Sequence, residues 1–151
     1  MRVVLQRVQQ GRVSVQDQVT GAIQTGFVAL VGVTHDDTPA DAELLAKKTA
    51  NLRVFPDDDD KMNRSVLDIN GGVLVISQFT LYADARKGRR PSFIDAARTE
   101  HAEPLVQHFA QCLKQEGVQQ VEHGVFGAVM LVEIFNDGPV TIILDTQELK
   151  K

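Results

Sequence analysis

Two apolar runs near the C-terminal end most constrain what this chain can fold into. Residues 128–135 and 140–144 are apolar almost throughout and rich in β-branched side chains, a composition typical of strands. A strand that is apolar on both faces has to be covered on both faces. The chain has two good amphipathic helices to provide that cover. We therefore expect a second copy of the protein to cover the rest, in a homodimer.

The rest of the chain reads as further strands and as helices. The first helix should begin at the capping residue Thr38, which is followed by Pro39 and Asp41. The second carries Leu105 and Phe109 on one apolar side and should end before Gly117, and a short helix is predicted over residues 92–98. These elements predict an α/β class that is rich in strands. The other predicted strands cover residues 2–8, 12–15, 18–24, 26–33, 73–76 and 118–122.

Length and charge predict one ordinary globular domain over residues 1–151. The net charge of −4 argues against a surface that coats nucleic acid, so any RNA contact must come from a local patch. A single cysteine, Cys112, excludes an internal disulfide. With no signal peptide or membrane-spanning run in view, we expect a cytoplasmic protein without a membrane partner.

Metal and nucleotide cofactors are not expected. The sequence has no paired Cys/His set, no HExxH, no Walker loop and no GxGxxG that opens a helix. The acidic run Asp57–Asp60 is interpreted as a solvated loop, because consecutive carboxylates do not converge on one ion.

The clearest candidate site follows the apolar run of residues 73–76. That run continues into Ser77, Gln78, Phe79 and Thr80, whose polar groups at a strand end either satisfy the backbone or line an opening for a ligand. A basic segment lies shortly after it in an otherwise acidic chain: Arg86, Lys87, Arg89 and Arg90. Together they suggest a small site beside a phosphate-binding loop.

A standard nucleophile is hard to build around Ser77 or Thr80. No histidine lies near them in sequence, and the four histidines are scattered along the chain. The residues alone therefore leave a structural role and a catalytic role about equally supported.

The segment 136–139 connects the two C-terminal apolar runs. A hairpin turn is the favoured interpretation of Asn-Asp-Gly-Pro. Pro139 removes a donor at the start of a strand, which places it at an edge or rim. Gly138 allows another backbone or a ligand to approach closely.

Both candidate motifs resemble the signatures of the D-aminoacyl-tRNA deacylases. The likeness covers residues 77–81, 86–93 and 136–141, and it extends to residues 1–8 and to the Lys61-Met62-Asn63 segment. It implies a homodimeric, β-barrel-like fold with a mixed or antiparallel sheet flanked by two main helices. It also implies hydrolysis of the ester between a D-amino acid and the 3′ end of tRNA.

The resemblance assigns roles to the candidate residues. It implies that Gly138 and Pro139, joined by a cis peptide, reach from one subunit into the partner's pocket at Ser77, Gln78, Phe79 and Thr80. Their carbonyls would accept the substrate ammonium, and the wall would reject an L side chain but not glycine. We expect the ribose 2′-hydroxyl to assist water, with backbone N–H groups near Gln78 and Phe79 binding the oxyanion. The four basic residues would contact tRNA phosphates.

Two other functions remain compatible with the residues. In one, the protein is a non-catalytic RNA-binding module that uses the basic segment 86–90. In the other, it is a general serine or threonine esterase, which would cleave small activated esters without tRNA.

Overall fold

A computed structural model describes residues 1–151, which form a mixed sheet with helices packed against it. The elements in chain order are β1 (Arg2–Val15), β2 (Gln18–Ile23), β3 (Gly26–Gly32), α1 (Pro39–Asn51), β4 (Phe55–Pro56), β5 (Met62–Arg64), β6 (Gly72–Ser77), a 3-10 turn (Phe79–Tyr82), α2 (Thr99–Gln115), β7 (Gln120–His123), β8 (Leu131–Asp145) and α3 (Thr146–Leu149).

The main sheet curls into a nearly closed barrel. Its strands follow the order β2-β1-β3-β6-β7, with β8 on the other side of β1. Strand β1 runs antiparallel to β2, β3 and β8, whereas β6 runs parallel to both β3 and β7. The side chain of Gln120 donates to the carbonyl of Ala22 at 3.1 Å, which joins β7 to β2. The predicted β-rich α/β class and barrel-like mixed sheet are confirmed.

Helices α1 and α2 cover one face of this sheet. The capping box at Thr38 and Asp41 is present, so α1 begins where the sequence predicts. Phe109 and Leu113 of α2 are fully buried in the main core, which also contains Leu45 of α1 and Phe27 of β3. Because alternate residues of a strand point to opposite faces, a second, smaller apolar cluster forms on the other face of the sheet. None of the helices combines the length and apolarity that crossing a bilayer requires.

Three local predictions were wrong. The two N-terminal strands form one strand, β1, whose register with β8 shifts twice. The short helix over residues 92–98 is absent, because its backbone bonds instead to neighbouring segments, as in the 2.9 Å bond from Ala97 N–H to the Val33 carbonyl. The hairpin at 136–139 is also absent, since β8 continues in one direction along β1.

Candidate active site

The candidate site lies where β6 ends. Ser77 pairs with Val31 of the parallel strand β3, and the N–H of Gln78 donates to the Val31 carbonyl at 2.7 Å. The chain then turns into the 3-10 turn, which packs over β3 at Gly32. A Cβ at Gly32 would lie 3.0 Å from Cβ of Leu81, so glycine lets the turn approach closely.

A cavity of about 220 Å³ opens beside this turn. Ser77, Gln78 and Phe79 line one part of it, and most of its other lining residues are apolar. These remaining residues are Val31, Val33, Ala97, Thr99, Ala102, Val106, Phe126 and Gly127. The structure thus brings three of the four predicted catalytic residues to one cavity.

Thr80 does not line the cavity. It is exposed, and its hydroxyl accepts a 2.5 Å hydrogen bond from the side-chain amide of Gln78. No histidine or carboxylate is bonded to the Thr80 hydroxyl, so no group is in place to take its proton. Thr80 directly follows Phe79, the last residue of this segment that lines the cavity.

The expected oxyanion donors need one correction. The Gln78 N–H is already bonded to Val31, so it is not free to bind a developing charge. The N–H groups of Phe79 and Thr80 open the 3-10 turn and, as its first two donors, have no acceptor within it. They are the backbone donors that this strand end offers.

A second cavity, of about 410 Å³, adjoins the first and shares Ser77, Val106 and Phe126 with it. It is also lined by His123, which the parallel pairing of β7 with β6 places beside Val75. Partial burial, together with Lys114, lowers the pKa of His123. Sequence reasoning missed this residue, because only the parallel pairing of β6 and β7 brings it near Ser77.

The basic segment forms an exposed loop. Backbone hydrogen bonds of 2.8 Å in each direction between Asp84 and Ser92 close its base. Arg86 is bonded to the Asp84 carboxylate at 2.7 and 2.8 Å, and these bonds lower the pKa of Asp84 to about 2. Of the predicted phosphate-binding residues, three are exposed and form no salt bridge: Lys87, Arg89 and Arg90.

Gly138 and Pro139 lie in a bulge of β8, and the peptide between them is cis. Gln6 of β1 pairs with Thr141 of β8, and Val8 pairs with Asn136. Between these two pairs β1 advances by two residues and β8 by five, so β8 has three extra residues there. Both bulge residues are exposed. The bulge therefore projects from the strand pair.

The buried side chain of Arg7 supports this bulge from below. Its Nε donates to the Asp137 carbonyl at 3.3 Å, and its Nη1 donates to the Val54 carbonyl at 2.6 Å. Gly138 has φ +114°, and a Cβ there would lie 2.8 Å from Nη2 of Arg7. Only glycine fits this backbone conformation and this contact without strain.

Within one chain the bulge does not reach the cavity. Arg7 pairs with Phe27, whereas Ser77 pairs with Val31, four residues further along β3. Since β8 and β6 are also separated by two strands, the two places are roughly 15–20 Å apart. Neither Gly138 nor Pro139 lines the cavity.

Strand β8 forms an open edge of the sheet, because β1 is its one partner. Three of its large apolar side chains face solvent in the single chain, with exposed fractions of 66%, 53% and 65% for Leu131, Phe135 and Ile143. An exposed apolar edge strand of this length is a surface that favours association.

Comparison with known proteins assigns the chain to a family. The model of the family described as D-Tyr-tRNA(Tyr) deacylase matches residues 4–145. A D-aminoacyl-tRNA deacylase of Thermus aquaticus is 57% identical over 148 residues, which are 98% of this chain and 97% of that protein. One of Opitutus terrae is 56% identical over 146 residues, or 97% of each chain.

A solved structure shares the fold of this chain over nearly its whole length. A structure described as a c-Myc DNA unwinding element binding protein is 40% identical, with a TM-score of 0.90, and the match covers 97% of this chain and 99% of that one. The family model and the two relatives confirm, over nearly the whole length, the resemblance that the two motifs predict. The chain belongs to the D-Tyr-tRNA(Tyr) deacylase family.

Proposed function

We infer that the protein hydrolyses the ester bond between a D-amino acid and tRNA, a proofreading step that rejects L-aminoacyl-tRNA. The family match over residues 4–145 carries this conclusion. The non-catalytic RNA-binding alternative finds no support in the comparisons. We expect the enzyme to act in the cytoplasm, where aminoacylated tRNA is its partner.

The ester is attacked by water in this proposal. The carbonyl of the ester lies against the N–H groups of Phe79 and Thr80, which stabilise the oxyanion as it forms. The ribose 2′-hydroxyl next to the ester relays a proton: it accepts one from the attacking water and donates its own to the 3′ oxygen, which leaves as the ribose hydroxyl when the ester bond breaks. Ser77 and Gln78 hold the aminoacyl group in the cavity, and Thr80 fixes the amide of Gln78 through the 2.5 Å bond. The absence of a base beside Thr80 supports this assignment over a threonine nucleophile.

The site is completed by the partner subunit in this proposal. Two copies associate through the exposed edge of β8, which buries its apolar side chains. The bulge of one copy then enters the cavity of the other, where the carbonyls of Gly138 and Pro139 accept the substrate ammonium. The 15–20 Å separation within one chain supports this arrangement, because the two motifs do not meet there.

Chirality follows from the shape of such a site. With the ammonium and the ester carbonyl both held by backbone groups, the two remaining substituents of Cα have fixed directions. A D side chain points out of the cavity, whereas an L side chain meets its apolar wall. Glycine has no side chain to exclude, so glycyl-tRNA is a substrate when it is formed.

The basic loop holds the acceptor arm. Lys87, Arg89 and Arg90 are free to contact phosphates, while Arg86 exchanges its Asp84 partner for a phosphate or remains paired. Phosphate contacts of this kind provide affinity for tRNA but do not distinguish one nucleotide sequence from another.

The reaction is tested with D-tyrosyl-tRNA and L-tyrosyl-tRNA under single-turnover conditions. We expect rapid release of D-tyrosine and negligible release of L-tyrosine. Equal rates for the two, or no release of either, would refute the proposed activity. Cleavage of small activated esters at rates that match the tRNA substrate would indicate a general esterase instead.

The shared site is tested by subunit complementation. Ser77→Phe fills the cavity, and Gly138→Ala disturbs the bulge, so each homodimer should be inactive. A heterodimer of the two variants retains one intact site, because one subunit supplies the cavity and the other the bulge. We expect about half the wild-type activity per heterodimer. An inactive heterodimer, or an active wild-type monomer in sedimentation, would contradict the proposal.

A further inference from the structure

Two exposed aromatic rings lie between the cavity and the basic loop. Phe79 lines the cavity, and its ring centroid is 5.1 Å from that of Phe93 at an interplanar angle of 71°. Their exposed fractions are 56% and 39%. Phe93 comes directly after Ser92, which closes the base of the basic loop. The pair therefore bridges the surface between the place where the ester would react and the cations Lys87, Arg89 and Arg90.

The backbone holds Phe93 firmly on both sides. Before it, Ser92 exchanges two hydrogen bonds of 2.8 Å with Asp84. After it, the Ile94 carbonyl is bonded to Nε2 of His35 at 2.6 Å, and the Asp95 carbonyl accepts a 2.6 Å bond from the Thr34 hydroxyl. An exposed ring on an anchored backbone loses little conformational freedom when a ligand packs against it.

The charges around the pair favour a polyanion. Two carboxylates flank this segment in sequence, and one of them, Asp84, is paired with Arg86. The other, Asp95, forms no salt bridge and is outnumbered by the three loop cations that form none. An exposed aromatic face beside several cations is the arrangement that binds single-stranded nucleic acid, since bases stack on the rings and phosphates contact the cations.

We propose that Phe93, supported by Phe79, is a stacking platform for the unpaired nucleotides that precede the terminal adenosine of the tRNA. This inference rests on the proposed function, because the cavity is taken to hold the esterified 3′ end. Phe93 is then a positioning residue. It aligns the end of the RNA strand with the cavity and makes no contact with the ester.

The test is a double-mutant cycle between protein and RNA. Wild type and Phe93→Ala are each assayed on D-tyrosyl-tRNA and on the same tRNA with abasic residues at the two positions before the terminal adenosine. We expect each single change to lower kcat/KM on the order of 5- to 150-fold, the range of one stacked base. The double change should cost little more than either alone, because both remove the same contact.

Matched variants separate stacking from apolar burial. Phe93→Tyr keeps a π-face and should keep the rate, whereas Phe93→Leu keeps apolar bulk and should lose as much as Phe93→Ala. Ile94→Ala removes the neighbouring side chain, which is 78% exposed, and should change nothing.

Several outcomes would overturn the proposal. One is a fall in kcat/KM for the double change that equals the product of the two single falls. Another is full activity of Phe93→Leu. A third is dissociation of the Phe93→Ala dimer in sedimentation, which would assign the rings to the subunit interface. Failure of the proposed function gives a different result, since wild type would then release no D-tyrosine from unmodified tRNA.

Discussion

Arg7 is the position where a single substitution should separate stability from catalysis most clearly. Its guanidinium is 10% exposed and donates to the carbonyls of Val54 and Asp137 at 2.6 and 3.3 Å. Replacing it by alanine removes both donors and leaves the two acceptors unpaired below the bulge. The short bond should contribute about 1.5–3 kcal/mol as a charge-assisted hydrogen bond. The longer bond to the Asp137 carbonyl and the ion pair with the Asp137 carboxylate, which is 37% exposed, add little to the stability.

The expected loss for Arg7→Ala is therefore about 2–4 kcal/mol in the free energy of unfolding. At an m-value of about 2 kcal/mol/M, urea denaturation should show a midpoint lowered by roughly 1–2 M. Deacylation should fall further than stability explains, because Gly138 packs on Nη2 of Arg7 and the bulge loses its support. We expect kcat/KM for D-tyrosyl-tRNA to drop by about 100-fold or more at a temperature where the variant is folded.

Two further variants test this reasoning. Arg7→Lys keeps the charge but reaches one carbonyl at a time, so it should recover part of the stability and little of the activity. Arg12→Ala, on the same strand, removes an exposed pair with Glu133 and should leave both properties nearly unchanged. If Arg7→Ala loses stability but keeps kcat/KM within about twofold, the bulge does not need this support for catalysis.

The basic loop, Thr80 and Asp41 each provide a further prediction. Arg89→Ala with Arg90→Ala should lower the slope of log Kd for tRNA against log salt by about 1 for each phosphate that is no longer bound; an unchanged slope would remove both residues from the RNA path. Thr80→Ala should lose some rate and trap no acyl-enzyme, whereas a terminal 2′-deoxyribose should cost on the order of 10²–10⁴-fold; a trapped ester on Thr80 would reverse the assignment. Although burial opposes it, hydrogen bonds from Lys150 and Thr38 hold the pKa of Asp41 below its ordinary value, so its stabilisation is complete above about pH 5 and lost as pH falls further. Asp41→Asn should therefore show a smaller fall in Tm between about pH 5 and pH 2 than wild type, and equal falls would contradict this.

Local patterns in the sequence were sufficient for most elements and for the motif that carries the chemistry. Thr38 and Asp41 predict the start of α1, because a capping box needs no distant partner. The change from an apolar run to Ser77 and Gln78 marks the end of β6 and one side of the cavity. These features depend on neighbouring residues, so they can be read from the sequence alone.

Tertiary pairing decided the rest. Asn-Asp-Gly-Pro has the composition of a hairpin turn, yet β1 is long enough to pair with residues on both sides of it, so the chain bulges and continues in one direction. The same competition explains residues 92–98, whose backbone bonds to Asp84, Val33 and Thr34 in place of helical partners. It also explains why Gln78 cannot donate to an oxyanion, since β3 already accepts its N–H. A backbone group bonds to whichever partner the fold brings near it, and the sequence around that group does not reveal which partner this is.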